Sequence, residues 1–232
     1  MEIDMNKSAI EDTARDLQIY TWNRRAELWP DREPGLFEIP NPEIAAHILG
    51  IGFEYRESLG RFGYRGAHFE VAGQLNRAAR KISISRKFPS DVMRFTGAHE
   101  IGHWIMHPGE HMHRDRPIRG LEANTTKKRP AVEQEADHFA ACYLMPGKLV
   151  TRTFERLFGT RNFTFTEAIA FHLSPSDMDS LLRPHENSLA RELALATARS
   201  FNGIHFKPLT EQFGVSATTM AIRIKELDLV RV

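Results

Sequence analysis

Five residues constrain this chain more than any others: His99-Glu100-Ile101-Gly102-His103, an H-E-x-x-H pattern inside a segment with clear helix-end signals. Pro89-Ser90 opens the segment and Pro108-Gly109 stops it, so a helix is expected from there to about His107. On a helix, residues four apart differ by about 40° in azimuth, so both imidazoles leave one face a turn apart. Two ring nitrogens so placed can meet one zinc ion at about 2 Å each. Glu100, about 100° round the helix from His99, stands beside the metal, where it can take a proton from metal-activated water. The competing reading is a chance pattern. Against it stands the apolar flank of Val92, Phe95 and Met106: burying that face buries ionisable groups, which then need a partner or a metal.

Catalytic zinc usually takes three protein ligands and keeps a fourth position open. The extended pattern H-E-x-x-H-x-x-G-x-x-H fails, because Met106 and Gly109 stand where glycine and histidine are required. His107, further round the helix, and His111 and His113, in the polar stretch that follows, are reserve ligands or oxyanion donors. They read more simply as solvent-exposed histidines. A second helix, about Pro130 to Met145, offers a better ligand: Glu133 and Asp137 share a face with Ala136, Ala140 and Leu144. Glu133 is the expected third ligand, and Asp137 the acceptor that fixes a ligand histidine's tautomer. Glu135 points about 160° away from Glu133 and reads as a solvated surface carboxylate, and Cys142, about 180° away, is not expected to bind metal.

Around these helices the chain reads as α+β. A helix is expected over about Asn6 to Trp29, then a proline-rich connector, then a short helix capped by Asn41 with Pro42 in its first turn. IGFEY, HFEVAGQL and KISIS read as strands of a small, mostly antiparallel sheet, and Ile82 and Ile84 alternating with Ser83 and Ser85 predict one wet face. Past Leu149 the pattern is helical, with breaks near Pro175, Pro184, Gly203 and Gly214. The 31 basic and 30 acidic side chains nearly cancel, so any nucleic-acid binding would need a local patch. A single cysteine, a charged N-terminus and no long apolar run together predict a soluble cytoplasmic protein away from membranes.

MRFTGAHEIGHWIMH resembles the signature helix of the ImmA/IrrE-type metallopeptidases, and AVEQEADHFAACYLMP resembles their glutamate helix. AGQLN and RKISIS are similar to the strands that precede that signature, while Gly97 departs from it, since a larger aliphatic residue is common there. The resemblance spans roughly residues 42 to 149. It implies a compact zincin-like fold with Glu133 as third zinc ligand, and endopeptidase activity on a helix-turn-helix transcriptional repressor in a stress or mobile-element response. The expected organisation is an N-terminal helix and connector at 1–40, a metallopeptidase domain at 41–150 and an α-helical region at 151–232.

Within that last region, residues 207–230 have a helix-turn-helix rhythm, with Gly214 at the turn and Ser216 as cap. A DNA reader would show Ala217, Thr218, Thr219 and Arg223 to bases. A packing unit would instead bury Phe213, Val215, Met220, Ile224 and Leu227. Expected function is therefore zinc-dependent peptide hydrolysis with His99, His103 and Glu133 on the metal and Glu100 as general base. The rival is a regulatory protein that binds DNA or a repressor and keeps a structural or vestigial zinc site, and hydrolysis of a non-peptide amide is a third reading.

Overall fold

The computed structural model describes residues 7–64, 67–109, 112–115, 130–186 and 188–231. It divides into two compact units, Met1–Leu144 and Met145–Val232. Among the described residues no helix is long and apolar enough to cross a membrane.

The first unit begins with helix α1 (Lys7–Asn23) and a single turn, α2 (Arg25–Leu28), so the expected long first helix is broken at Arg24. Ile10, Ala14, Leu17 and Thr21 form the buried stripe of α1. Helix α3 (Pro42–Ile48) starts as the sequence predicts, with the Asn41 side chain accepting from Glu43 N at 2.8 Å. Five strands follow: β1 (Gly52–Arg56), β2 (Arg61–Tyr64), β3 (Ala67–Glu70), β4 (Gly73–Asn76) and β5 (Lys81–Ser85). Then come helix α4 (Ser90–Met106), strand β6 (Met112–Asp115) and helix α5 (Ala131–Leu144).

The main sheet has the order β1-β5-β4-β6, and β2 pairs with β3 as a separate hairpin. Pairing is antiparallel except between β1 and β5, which run parallel. The wet face expected on β5 is absent. Ile82 and Ile84 are fully buried, yet Ser85 is also at 0% exposure and Ser83 at 9%. Ser83 can be covered because its hydroxyl donates to Glu54 on β1, at 2.9 Å. The Glu54 carboxyl, held by Ser83, Lys81 and Arg56, is drawn down to about 2.

Helix α4 packs between the sheet and α5, and α1 packs on α5. Its residues from Thr96 to His103 are all buried, which makes it the central element of the unit. The flank that buries the H-E-x-x-H face is not the expected one: Val92, Phe95 and Met106 are only half-buried. Small residues bury it by letting neighbours close in. A Cβ on Gly97 would lie 3.0 Å from Phe53 and 3.1 Å from Pro42, and one on Gly102 would lie 3.0 Å from Phe139. The glycine at 97 is thus matched by the phenylalanine that fills its space. From α1, Gln18 donates to the carbonyls of Cys142 and Tyr143, at 3.0 and 2.8 Å, and satisfies the last turn of α5.

The second unit holds α6 (Gly147–Phe158), α7 (Glu167–Leu173), α8 (Met178–Leu182), α9 (Ala190–Thr197), the hairpin β7 (Ser200–Phe201) and β8 (Ile204–His205), α10 (Leu209–Phe213) and α11 (Ala217–Glu226). The hairpin departs from the helical reading. Its signal was Asn202-Gly203, both at positive φ (48° and 77°), the dipeptide a two-residue turn prefers. Phe158 gathers the rings of Phe154, Phe163, Phe201 and Phe206 at 4.7 to 5.8 Å. Phe213, Val215, Met220 and Ile224 are buried, as the packing reading requires, while Leu227 is half-buried. Arg223 is only 3% exposed, with Nε donating to Met145 O and Nη1 to Glu226. The one cation among the four residues a DNA reader would offer is therefore turned into the unit.

Candidate metal centre

His99 and His103 sit one turn apart in the buried middle of α4, and both side chains have no exposed surface. Their Nε2 atoms converge to 3.0 Å. Glu133, in the first turn of α5, brings one carboxylate oxygen to 3.5 Å from His99 Nε2 and the other to 3.6 Å from His103 Nε2. The three residues form a group whose ligand atoms all lie within 4.8 Å of one another. A zinc-sized ion with bonds of about 2.0–2.1 Å needs ligands about 3.3 Å apart in a tetrahedron, close to these separations.

The chemistry of the donors agrees with the spacing. His99 Nδ1 lies 2.9 Å from Asp137 Oδ1, so a proton on Nδ1 donates to the carboxylate and leaves Nε2 as a lone pair. A lone-pair nitrogen, a second imidazole and a carboxylate facing one point form a site for a cation. Asp137 thus stands directly behind His99. Solvent meets the cluster on its carboxylate side, where Glu133 and Asp137 retain 14% and 22% of their side-chain exposure.

Glu100 is completely buried. The strand β4 passes so close to it that a Cβ on Gly73 would lie 2.8 Å from Glu100 Oε1 and collide with the Thr96 methyl. A glycine inside a strand is the sequence signal of such a close approach. In Gly73→Ala the added methyl is expected to destabilise the fold by about 1–3 kcal/mol and to displace the Glu100 carboxylate. Thermal unfolding of Gly73→Ala beside Gly73→Ala/Thr96→Ser, which removes the clashing methyl, checks this: the double variant should recover part of the loss. An unchanged melting curve in the single variant would remove Gly73 from the site.

Two sequence expectations need correction. His107 is not an exposed bystander: its side chain is 8% exposed, with Nδ1 3.0 Å from His103 Nδ1 and Nε2 2.8 Å from Glu135. Glu135 is not a solvated surface group either, at 7% exposure. A helical wheel gives the direction of a Cβ, and the two methylenes of glutamate carry its carboxylate well beyond that direction. Tyr143 is fully buried and its hydroxyl donates to Asn41 O at 3.1 Å; burial pushes its phenol up. His111 lies outside the described residues, and His113 occupies β6 opposite Leu75. Cys142 is buried with Sγ 3.6 Å from His138 Nε2 and is not a member of the three-residue group.

The family model described as the IrrE N-terminal-like domain, of the M78 peptidases, matches residues 55–167. That span holds both helices of the site and strands β2 to β6. No curated protein matches the chain.

Proposed function

We infer the function from one premise: over residues 55–167 this chain belongs to the M78 peptidase family of IrrE N-terminal-like domains. It acts as a zinc-dependent endopeptidase. The observation that carries this reading is the convergence of His99, His103 and Glu133 beside the buried Glu100. These three residues would hold the metal, which when bound supplies Lewis acidity to water and to the scissile carbonyl. Glu100, the residue after the first ligand, takes the proton from the attacking water and delivers it to the leaving amine. Asp137 keeps the His99 proton on Nδ1, so that Nε2 faces the centre.

The substrate is a protein, and we assign it to the class of helix-turn-helix transcriptional repressors, cleaved in the cytoplasm during stress or mobile-element induction. This assignment rests on the resemblance of the two signature helices. The runner-up, a DNA-binding regulator, is weakened by the inward turn of Arg223.

The test uses the purified full chain, its zinc content, and a panel of purified helix-turn-helix repressors read by mass spectrometry. The expected result is about one zinc per chain and a discrete internal cut in one repressor. A chelator should abolish the cut and added zinc restore it. A chain that takes up no zinc even on reconstitution would sink the metallopeptidase reading. Zinc-dependent cutting of an unrelated protein would sink the repressor assignment alone.

A further inference from the structure

The two ligand histidines are backed differently. His99 leans directly on the Asp137 carboxylate. Behind His103 stands another imidazole, His107, and behind that the Glu135 carboxylate, in a line of contacts of 3.0 and 2.8 Å. The side chains of His103, His107 and Glu135 are at 0%, 8% and 8% exposure, so water has little access to the row.

We propose that His107 and Glu135 are positioning residues for the metal centre, forming a relay that fixes the tautomer of His103. The inference rests on the zinc-site reading above and follows from counting protons. To offer Nε2 to a metal, His103 must keep its proton on Nδ1. That proton points at His107 Nδ1, which must therefore be a lone pair. His107 then carries its own proton on Nε2, and Glu135 accepts it. Each contact has one donor and one acceptor, and the anionic end is the carboxylate. In the reversed row His107 would donate to His103, whose Nε2 would then hold a proton and be closed to metal. With His107 a neutral imidazole, which carries one N–H only, Glu135 as acceptor excludes that arrangement.

The fold holds the relay rigid from the backbone side. His107 is the residue just past the end of α4, where helices fray. Arg77, in the turn between β4 and β5, donates to the carbonyls of His103, Trp104 and His107 together, and its guanidinium lies 4.9 Å from the Trp104 ring centre. The last turn is thus fastened to the sheet, and His107 stays in reach of both partners.

The experiment measures zinc affinity by chelator competition, and the visible spectrum of the cobalt-substituted chain, for wild type, Glu135→Gln, His107→Phe and His107→Gln. Thermal unfolding of the metal-free proteins serves as the folding control. His107→Phe and Glu135→Gln should bind zinc roughly 10- to 100-fold more weakly, with an altered cobalt spectrum. His107→Gln keeps one acceptor and one donor and should recover most of the affinity. Adding Glu135→Gln to His107→Phe should weaken binding no further, because the relay is already cut. Wild-type affinity and spectrum in a folded Glu135→Gln would overturn the proposal, and that variant decides alone if His107→Phe fails to fold. If wild type itself binds no zinc, or if His99→Ala binds as tightly as wild type, the metal-site reading fails instead.

Discussion

Replacing Glu100 with glutamine is expected to leave the zinc content of the chain unchanged and to lower peptide cleavage by about 10²–10⁴-fold, the usual contribution of a positioned general base. The two parts of that result test different things. Retained metal follows from Glu100 lying outside the group formed by His99, His103 and Glu133. Lost turnover follows because an amide of the same shape cannot take up a proton. Shape matters here, since the side chain sits beneath Gly73 with little room to move. Glutamine fits the same space, so the metal-free melting temperature should be close to wild type. Elemental analysis, a melting curve and a cleavage assay on the same preparation separate the outcomes. Full activity in Glu100→Gln would refute Glu100 as the base; loss of zinc would show that the side chain supports the metal.

The geometry of the candidate site was largely legible in the sequence because its parts lie on two well-bounded helices, where spacing fixes direction. The positions of His99 and His103 follow from the four-residue interval, and those of Glu133 and Asp137 from sharing a face with Ala136 and Ala140. What the wheel could not give was which neighbour each side chain meets. His107 looked exposed because it abuts Pro108, yet Glu135 and His103 enclose it. Ser83 and Ser85 looked wet because serine usually is, and no local pattern shows that Glu54 on a strand joined in parallel will take up the Ser83 hydroxyl. Arg77, which fastens the end of α4, has no sequence signal at all: its carbonyl partners lie 26 to 30 residues away. Local periodicity carried the elements, and the misses came from long-range polar contacts.

The variant that should most change the protein's relation to metal is Glu133→Ala. It removes the only member of the three-residue group contributed by α5 and leaves two histidine nitrogens on α4. Two ligands from one helix cannot close a tetrahedral site, so zinc should be largely absent from the variant purified without chelator. Stability provides an independent reading. A metal that binds only the folded unit stabilises it by about 2.7 kcal/mol at a hundredfold excess over its dissociation constant. For a chain of this size that is worth roughly 5–10 °C in melting temperature. Wild type should therefore melt higher with zinc than with chelator, and Glu133→Ala should melt at one temperature in both. The metal-free melting temperature of each variant serves as its own reference, since the Glu133 side chain is only 14% exposed in the first turn of its helix. Asp137→Asn should fall between the two, with weakened binding and a reduced zinc-dependent shift. A Glu133→Ala chain that keeps wild-type zinc and its full thermal shift would show that the third ligand lies elsewhere, and the two-helix centre would have to be redrawn.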